Sequence, residues 1–429
     1  MIRGASESEL PPAEVSVSPP GPAPAGAGLT LRPVEPKDAE AIHALLVAAI
    51  PDVLADRQRW LSRWVWQYWD NPYRRDRPAG WVLVDGDLIV GHLGAVYVPL
   101  RVGSGRATGV VGADYAVAEG AIARGSVFAG LQLAEAFFSA AEDCVAMATT
   151  ANEKTAAVFS RFGCEPIAWT REFWRARANL TQQIRACHGA SSRIARRLLS
   201  GPAGSIISGV LGRCYRRLRH QPAIPIPAGC RLETTMPQLA GDLGWLWEGF
   251  AWSGAVPNAG GPTGAGNEGG DARRVESDRA GVVGIDRAQS YLDWRYARHP
   301  ERDNIRVLVV RDGDGQPTGT AVVFLDERET RRIAFVEELI ALPDRMEVVR
   351  TLLCSALRLA CDHEADYVVT TTGRPAIRHV FRELGFESRA RSAPAVVIQP
   401  TPTSFAPGPD ARHGESIAEH LDFWHGEMF

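Results

Sequence analysis

Three residues near the start of the chain return, in the same order and spacing, deep in its second half. Trp66, Tyr68 and Pro72 are matched by Trp294, Tyr296 and Pro300, each 228 positions on, and Gly91 is matched by Gly319 at the same interval. Further along, Phe159 and Gly163 are matched by Phe381 and Gly385 at the slightly shorter interval of 222. Matches kept in one register over most of a domain imply two copies of one fold. The 429 residues are enough for two such cores side by side.

Within the first copy, the stretch from Asp114 to Cys164 carries the clearest local pattern. Val110–Val117 is a short apolar run that stops at Glu119-Gly120, which reads as a buried strand. Arg124-Gly125-Ser126 follows, and then Leu131, Leu133, Ala134, Phe137 and Phe138 repeat at helical spacing. A strand that runs through a glycine-bearing turn into a helix aims backbone N–H groups and the positive end of the helix dipole at whatever sits over the turn. That arrangement cradles a pyrophosphate. A second strand, Cys144–Thr150, leads to Asn152, to a helix through Phe159, and to a closing Phe162-Gly163-Cys164.

This succession resembles the GNAT superfamily of acetyl-CoA-dependent N-acyltransferases. The paired Trp-x-Tyr segments look like those of uncharacterised bacterial proteins with two such domains, associated with exopolysaccharide loci. The resemblance implies an α/β (α+β) fold of two tandem GNAT-like domains, each a mixed, mostly antiparallel sheet flanked by helices. It implies acetyl-CoA as co-substrate, no metal, and a small-molecule or sugar amine as acceptor. Carried over residue by residue, Gly125 matches the family's first loop glycine and Asn152 its asparagine on the CoA arm. Val117 and Ala118 stand where members pair the pantetheine amides, with Arg124 and Ser126 beside the phosphates. Three positions depart from the pattern: Ile122 replaces Arg or Gln, Val127 a second small residue, and Phe159 the tyrosine that serves many members as general acid. Those departures keep a second reading open, a catalytically inactive GNAT-like binding or scaffold protein associated with polysaccharide biosynthesis.

Amine acylation needs a base for the ammonium and an acid for the departing thiolate. Asp114 and Glu119 lie at or beside the cleft end of the strand, and either is a candidate base. Tyr115 is the candidate substitute for the missing acid. A thiol pKa near about 8.5 makes the thiolate a tolerable leaving group even without help. The second copy has Pro343–Val349 in place of the glycine turn, with Asp344 and Glu347 but no glycine, so it is not expected to hold a pyrophosphate in this way.

Taken in order, residues 1–28 read as a disordered tail, 29–176 as the first domain, 177–228 as a basic helical linker, 229–400 as the second domain with a mobile loop at 253–280, and 401–429 as an extension. Asp38 is placed to cap a helix through Ala49, and Trp81–Gly91 reads as a hairpin turning at Asp85-Gly86, with a third strand over Val96–Val102. Trp64–Tyr73 is an aromatic core or lid, or else an acceptor-site wall. The arginines of 190–220 offer a surface to anionic lipid or a membrane-bound partner, or simply a solvated face. A net charge of −3 speaks against nucleic acid. The seven cysteines show no C-x-x-C pair, the ten histidines no metal spacing, and no apolar run reaches a membrane span, which together point to a reduced, cytoplasmic protein.

Overall fold

The computed structural model describes residues 29–50, 56–102, 105–120, 128–149, 151–178, 224–236, 246, 283–328, 331–342, 345–392 and 395–399. Arg124, Gly125 and Ser126, the tail, the basic tract 190–220, the loop 253–280 and the extension all lie outside them.

The described residues form two mixed sheets flanked by helices. The first half runs β1 (Thr30–Pro33), α1 (Ala39–Ala49), α2 (Arg57–Trp64), a π-helical turn (Val65–Trp69), β2 (Gly80–Asp85), β3 (Leu88–Val102), β4 (Gly105–Val117), α3 (Ala129–Ser139), β5 (Val145–Ala148), α4 (Glu153–Ser160), β6 (Glu165–Pro166) and β7 (Glu172–Arg177). The second runs β8 (Arg231–Thr235), β9 (Val283–Ile285), α5 (Gln289–Leu292), a π-helical turn (Asp293–Ala297), β10 (Ile305–Arg311), β11 (Pro317–Arg328), β12 (Arg331–Ala341), α6 (Met346–Asp362), β13 (Tyr367–Thr370), α7 (Pro375–Glu383), β14 (Glu387–Ala390) and β15 (Val397–Ile398).

The first sheet has the order β1-β2-β3-β4-β5-β15-β6, with β9 added to the far end of β3, and the second β14-β7-β13-β12-β11-β10-β8. In both, the early strands pair antiparallel and one central pair is parallel: β4 with β5, β12 with β13. Each half also lends a strand to the other. β15 lies between β5 and β6, and β7 lies between β13 and β14. Alternation explains where β7 goes: Trp174 and Ala176 are buried with Phe381 in the second half's outer core, while Arg175 and Arg177 face outward.

The outer face of each sheet packs on its own helices, α3 and α4 for the first and α6 and α7 for the second. The inner faces share one core, in which Ile42, Trp60, Trp64 and Trp66 join Tyr291, Trp294, Val307 and Phe324. Arg59 on α2 bridges the halves at its rim, pairing with Glu301 and with Asp326 at 3.1 Å.

Three local expectations need correction. Asp38 makes no capping bond to α1; its carboxylate pairs with Arg32 and closes a capping box on the short turn Pro36–Asp38, accepting from the Glu35 amide at 2.8 Å, so the nearby cation and turn amide win over the α1 end. The hairpin turns at Gly86-Asp87, with Asp85 still paired to Leu88, because Gly86 has the positive φ (+61°) that the tight turn needs. Val96–Val102 is no separate strand but the second half of the 15-residue β3.

Candidate functional site

Each sheet has a β-bulge next to its parallel pair. In the first, Gly94 faces Ala113 and His92 faces Ala116, so Asp114 and Tyr115 together oppose Leu93. Ala113 stays on the inner face with Ala116, and Asp114 joins them there, its Oδ2 accepting from the Tyr68 hydroxyl at 2.8 Å. Asp114 has φ +53°, a left-handed conformation that a non-glycine residue holds only when its surroundings enforce it. Two contacts do so: the Tyr68 hydroxyl on its side chain, and His92, whose Nδ1–H donates to the Asp114 carbonyl at 2.9 Å. Burial favours the uncharged form of both partners, lowering the His92 pKa and raising that of Tyr68, with the Asp114 charge adding to the latter. Gly94 makes room for Tyr68, since a Cβ there would lie 2.2 Å from the Tyr68 hydroxyl oxygen.

Beyond the bulge, β4 loses its neighbour. β5 pairs with it only along Gly109–Val111 and then turns to β15, leaving Gly112–Val117 with β3 alone. The Ala118 amide is drawn into the sheet by Val90 O at 2.8 Å, so strand alternation turns the Val117 amide to the open edge. Tyr115 faces the opposite way from Asp114, toward α3 and Phe159, and burial pushes its phenol up to about 12. Glu119 is exposed just past the strand. Asn152 caps α4, its side-chain oxygen accepting from the Thr155 amide at 2.9 Å. Phe159 is fully buried against Phe137, Phe138 and the flat face of Gly112. The structure thus gathers Asp114, Tyr115, Val117 and Ala118 on one strand end, with Asn152 one connection away.

The second half repeats this plan with different chemistry. Its bulge lies between Val322 and Val323 of β11: Val322 faces Glu338, Val323 faces Val336, and Glu337 is the inserted residue. Glu338 takes the place of Asp114, accepting from the Tyr296 hydroxyl at 3.0 Å, but it is also ion-paired to Arg287 at 2.7 Å in a fully buried contact. Glu337, where the first half has Ala113, lies 3.8 Å from Arg295, and burial pushes its carboxyl up to about 7. Sequence reading missed Glu337, Glu338 and Arg287. The available signal was that each Trp-x-Tyr tyrosine is followed at a similar interval by an acid in a strand, Asp114 on β4 at 46 positions and Glu338 on β12 at 42.

Among the described residues, no three His, Cys, Asp or Glu side chains gather to hold a metal, and no helix is long and apolar enough to cross a membrane.

The chain is similar to a GCN5-related N-acetyltransferase from Anabaena variabilis, at 11% identity and a TM-score of 0.48 over 86% of this chain and 72% of that one. It is also similar to a protein of unknown function from Enterococcus faecalis, described as a probable N-acyltransferase (8%, 0.46, 86% and 72%). A GCN5-related N-acetyltransferase from Kribbella flavida is a third (13%, 0.46, 87% and 69%). No family model and no curated protein matches the sequence. Likeness at this level says nothing about chemistry, which has to come from the residues.

Proposed function

We propose that the protein is a cytoplasmic N-acyltransferase that moves an acetyl group from acetyl-CoA to a small-molecule or sugar amine, with CoA seated in the first of two duplicated modules. One observation carries this reading: the open edge Gly112–Val117 and a carboxylate held in a strained backbone occur on the same strand end. The edge offers the Val117 amide to an extended amide-bearing chain, as an added strand would be received. The α3 N-terminus, with no side-chain cap, suits the phosphates. Asp114 takes a proton from the acceptor ammonium as its nitrogen attacks the thioester carbonyl, the C–S bond breaks, and the thiolate is protonated. Tyr115 stays protonated at neutral pH and faces the other side of the strand, where it serves as donor.

Phe159 favours the second reading, a non-catalytic binding or scaffold protein. It fills the space against Gly112 with a ring that has no proton to give.

Thermal unfolding with acetyl-CoA tests the choice. Bound at about a hundred times its dissociation constant, acetyl-CoA should add about 2.7 kcal/mol of stability. Gly125→Asp should abolish that gain and Val349→Ala should leave it intact. No gain at millimolar acetyl-CoA would sink the transferase reading.

A further inference from the structure

The strand that the first half lends to the second sheet carries positive charge that its new neighbours do not balance. Trp174 and Ala176 take the side of the outer core, so alternation puts Phe173 and Arg175 on the side turned away from it. On β14, Arg389 stands directly opposite Phe173 and Glu387 opposite Arg175, which places both on that same side. The pairing continues past the end of the strand: the Arg391 amide donates to the Arg171 carbonyl at 2.8 Å, which sets Arg391 directly opposite Arg171. Arg171, Arg389 and Arg391 therefore surround Phe173 on one face, although like charges directly opposite each other destabilise a sheet.

Only part of this charge is met. Arg389 pairs with Glu387. The Arg391 guanidinium carbon lies 5.2 Å from the centre of the Phe173 ring, an attraction that holds the side chain there but supplies no oxygen acceptor. The Nε atoms of Arg389 and Arg391 are both buried and have no hydrogen-bond partner among the described residues. Among those residues, neither Arg171 nor Arg391 has a carboxylate within ion-pair distance. Burial lowers the Arg391 pKa, and no acid acts against it. A half-buried guanidinium without a counter-charge is costly, and a bound anion would offset that cost.

Charge and geometry say which anion. Arg171 and Arg391 leave two adjacent positive charges, which one dianion neutralises and a monocarboxylate does not. An arginine held against a ring presents a preorganised fork of N–H groups, which suits phosphoryl oxygens. Arg175 covers the Tyr367 ring at 4.3 Å as Arg391 covers Phe173, so neither ring offers a free face for a base to stack on.

We propose that Arg171, Arg389 and Arg391, gathered around Phe173 where β7 meets β14, form a binding site for the phosphoryl dianion of a small soluble ligand. The site stands whether or not the first module transfers acyl groups.

Calorimetric titration of the full chain with inorganic phosphate reads the site, at constant chloride and about pH 8, where phosphate is mainly the dianion. Arg391→Met removes an uncompensated charge and keeps an apolar stem on the ring. It should therefore lose no stability in urea, yet bind phosphate at least about tenfold more weakly. Arg391→Lys keeps the charge without the fork and should weaken phosphate by less. Arg332→Met, on the arginine that pairs with Glu327 and Glu364, should bind as the wild type does. Gly125→Asp should also bind phosphate normally, and Arg391→Met should leave any gain from acetyl-CoA unchanged, so the two sites fail separately. Association with phosphatidic acid vesicles but not with free phosphate would overturn the soluble ligand, and an equal response to acetate would overturn the dianion. The proposal also fails if phosphate does not bind, or if Arg391→Met binds it like the wild type.

Discussion

Trp66 and Trp294 are each other's hydrogen-bond partners. The Trp66 indole N–H donates to the Trp294 carbonyl at 2.9 Å, the Trp294 indole N–H donates to the Trp66 carbonyl at 3.2 Å, and the two rings stack with centroids 5.0 Å apart. Such a reciprocal pair is what local two-fold symmetry produces, and it sits where the inner faces of both sheets meet. Trp66→Ala should remove a large buried ring and orphan a carbonyl, costing about 3–5 kcal/mol. Since β7 and β15 are exchanged between the sheets, the loss should lower one cooperative denaturant transition for the whole protein. Two transitions, with only the earlier one moved, would mean that the halves are stable independently.

The two tryptophans that the 228-residue interval singles out in the sequence are direct partners in space. Strongly periodic stretches were equally legible: the helical spacing of Leu133, Ala134 and Phe137 falls on α3 (Ala129–Ser139), which buries all three. The lending of β15 to the first sheet was not legible, because it is two residues long and shows no period. Nor were the bulges. One inserted residue leaves the alternation on either side intact, and Glu337-Glu338 reads as a solvated acidic pair until Tyr296 and Arg287 are placed against it. Asn152 was visible as a helix start, and its side-chain oxygen is in fact used there.

Asp114 and Tyr68 should separate chemistry from positioning. Asp114→Asn keeps the shape and removes the base, so acetyl transfer to an amine should fall about 100-fold or more with acetyl-CoA binding unchanged. Tyr68→Phe leaves the carboxylate in place but loosens it, and should cost about tenfold, mainly in kcat. Steady-state kinetics beside calorimetry with acetyl-CoA measures both. Equal and small effects would remove Asp114 from the reaction.

Glu337 predicts how stability depends on pH. Its carboxyl titrates near 4.5 when exposed and at about 7 in the fold, so the folded state holds the proton more tightly. The stability from this group is complete below about pH 4.5 and is lost as pH rises through about 7. Glu337→Gln has no proton to lose. Relative to wild type it should gain on the order of 2 kcal/mol between pH 5 and pH 8 in urea unfolding. A difference that does not vary over that range would show that Glu337 ionises in the fold as it does in water.

Gly94 and Gly163 provide a paired test of the first site. At Gly94 a methyl group would meet the Tyr68 hydroxyl oxygen at 2.2 Å and its ring carbons at 2.6 and 2.7 Å, with the ring itself fully buried. Gly94→Ala must therefore displace Tyr68 or the strand, costing about 1–3 kcal/mol and freeing Asp114 from its phenol. At Gly163 the added methyl meets nothing within 4 Å, and the cost is the backbone strain of φ +84°, about 1–2 kcal/mol. The two variants should thus be similarly destabilised in urea, yet acetyl transfer should drop only in Gly94→Ala. If Gly163→Ala loses as much activity, general destabilisation accounts for both, and the Tyr68–Asp114 contact has no part of its own in the chemistry.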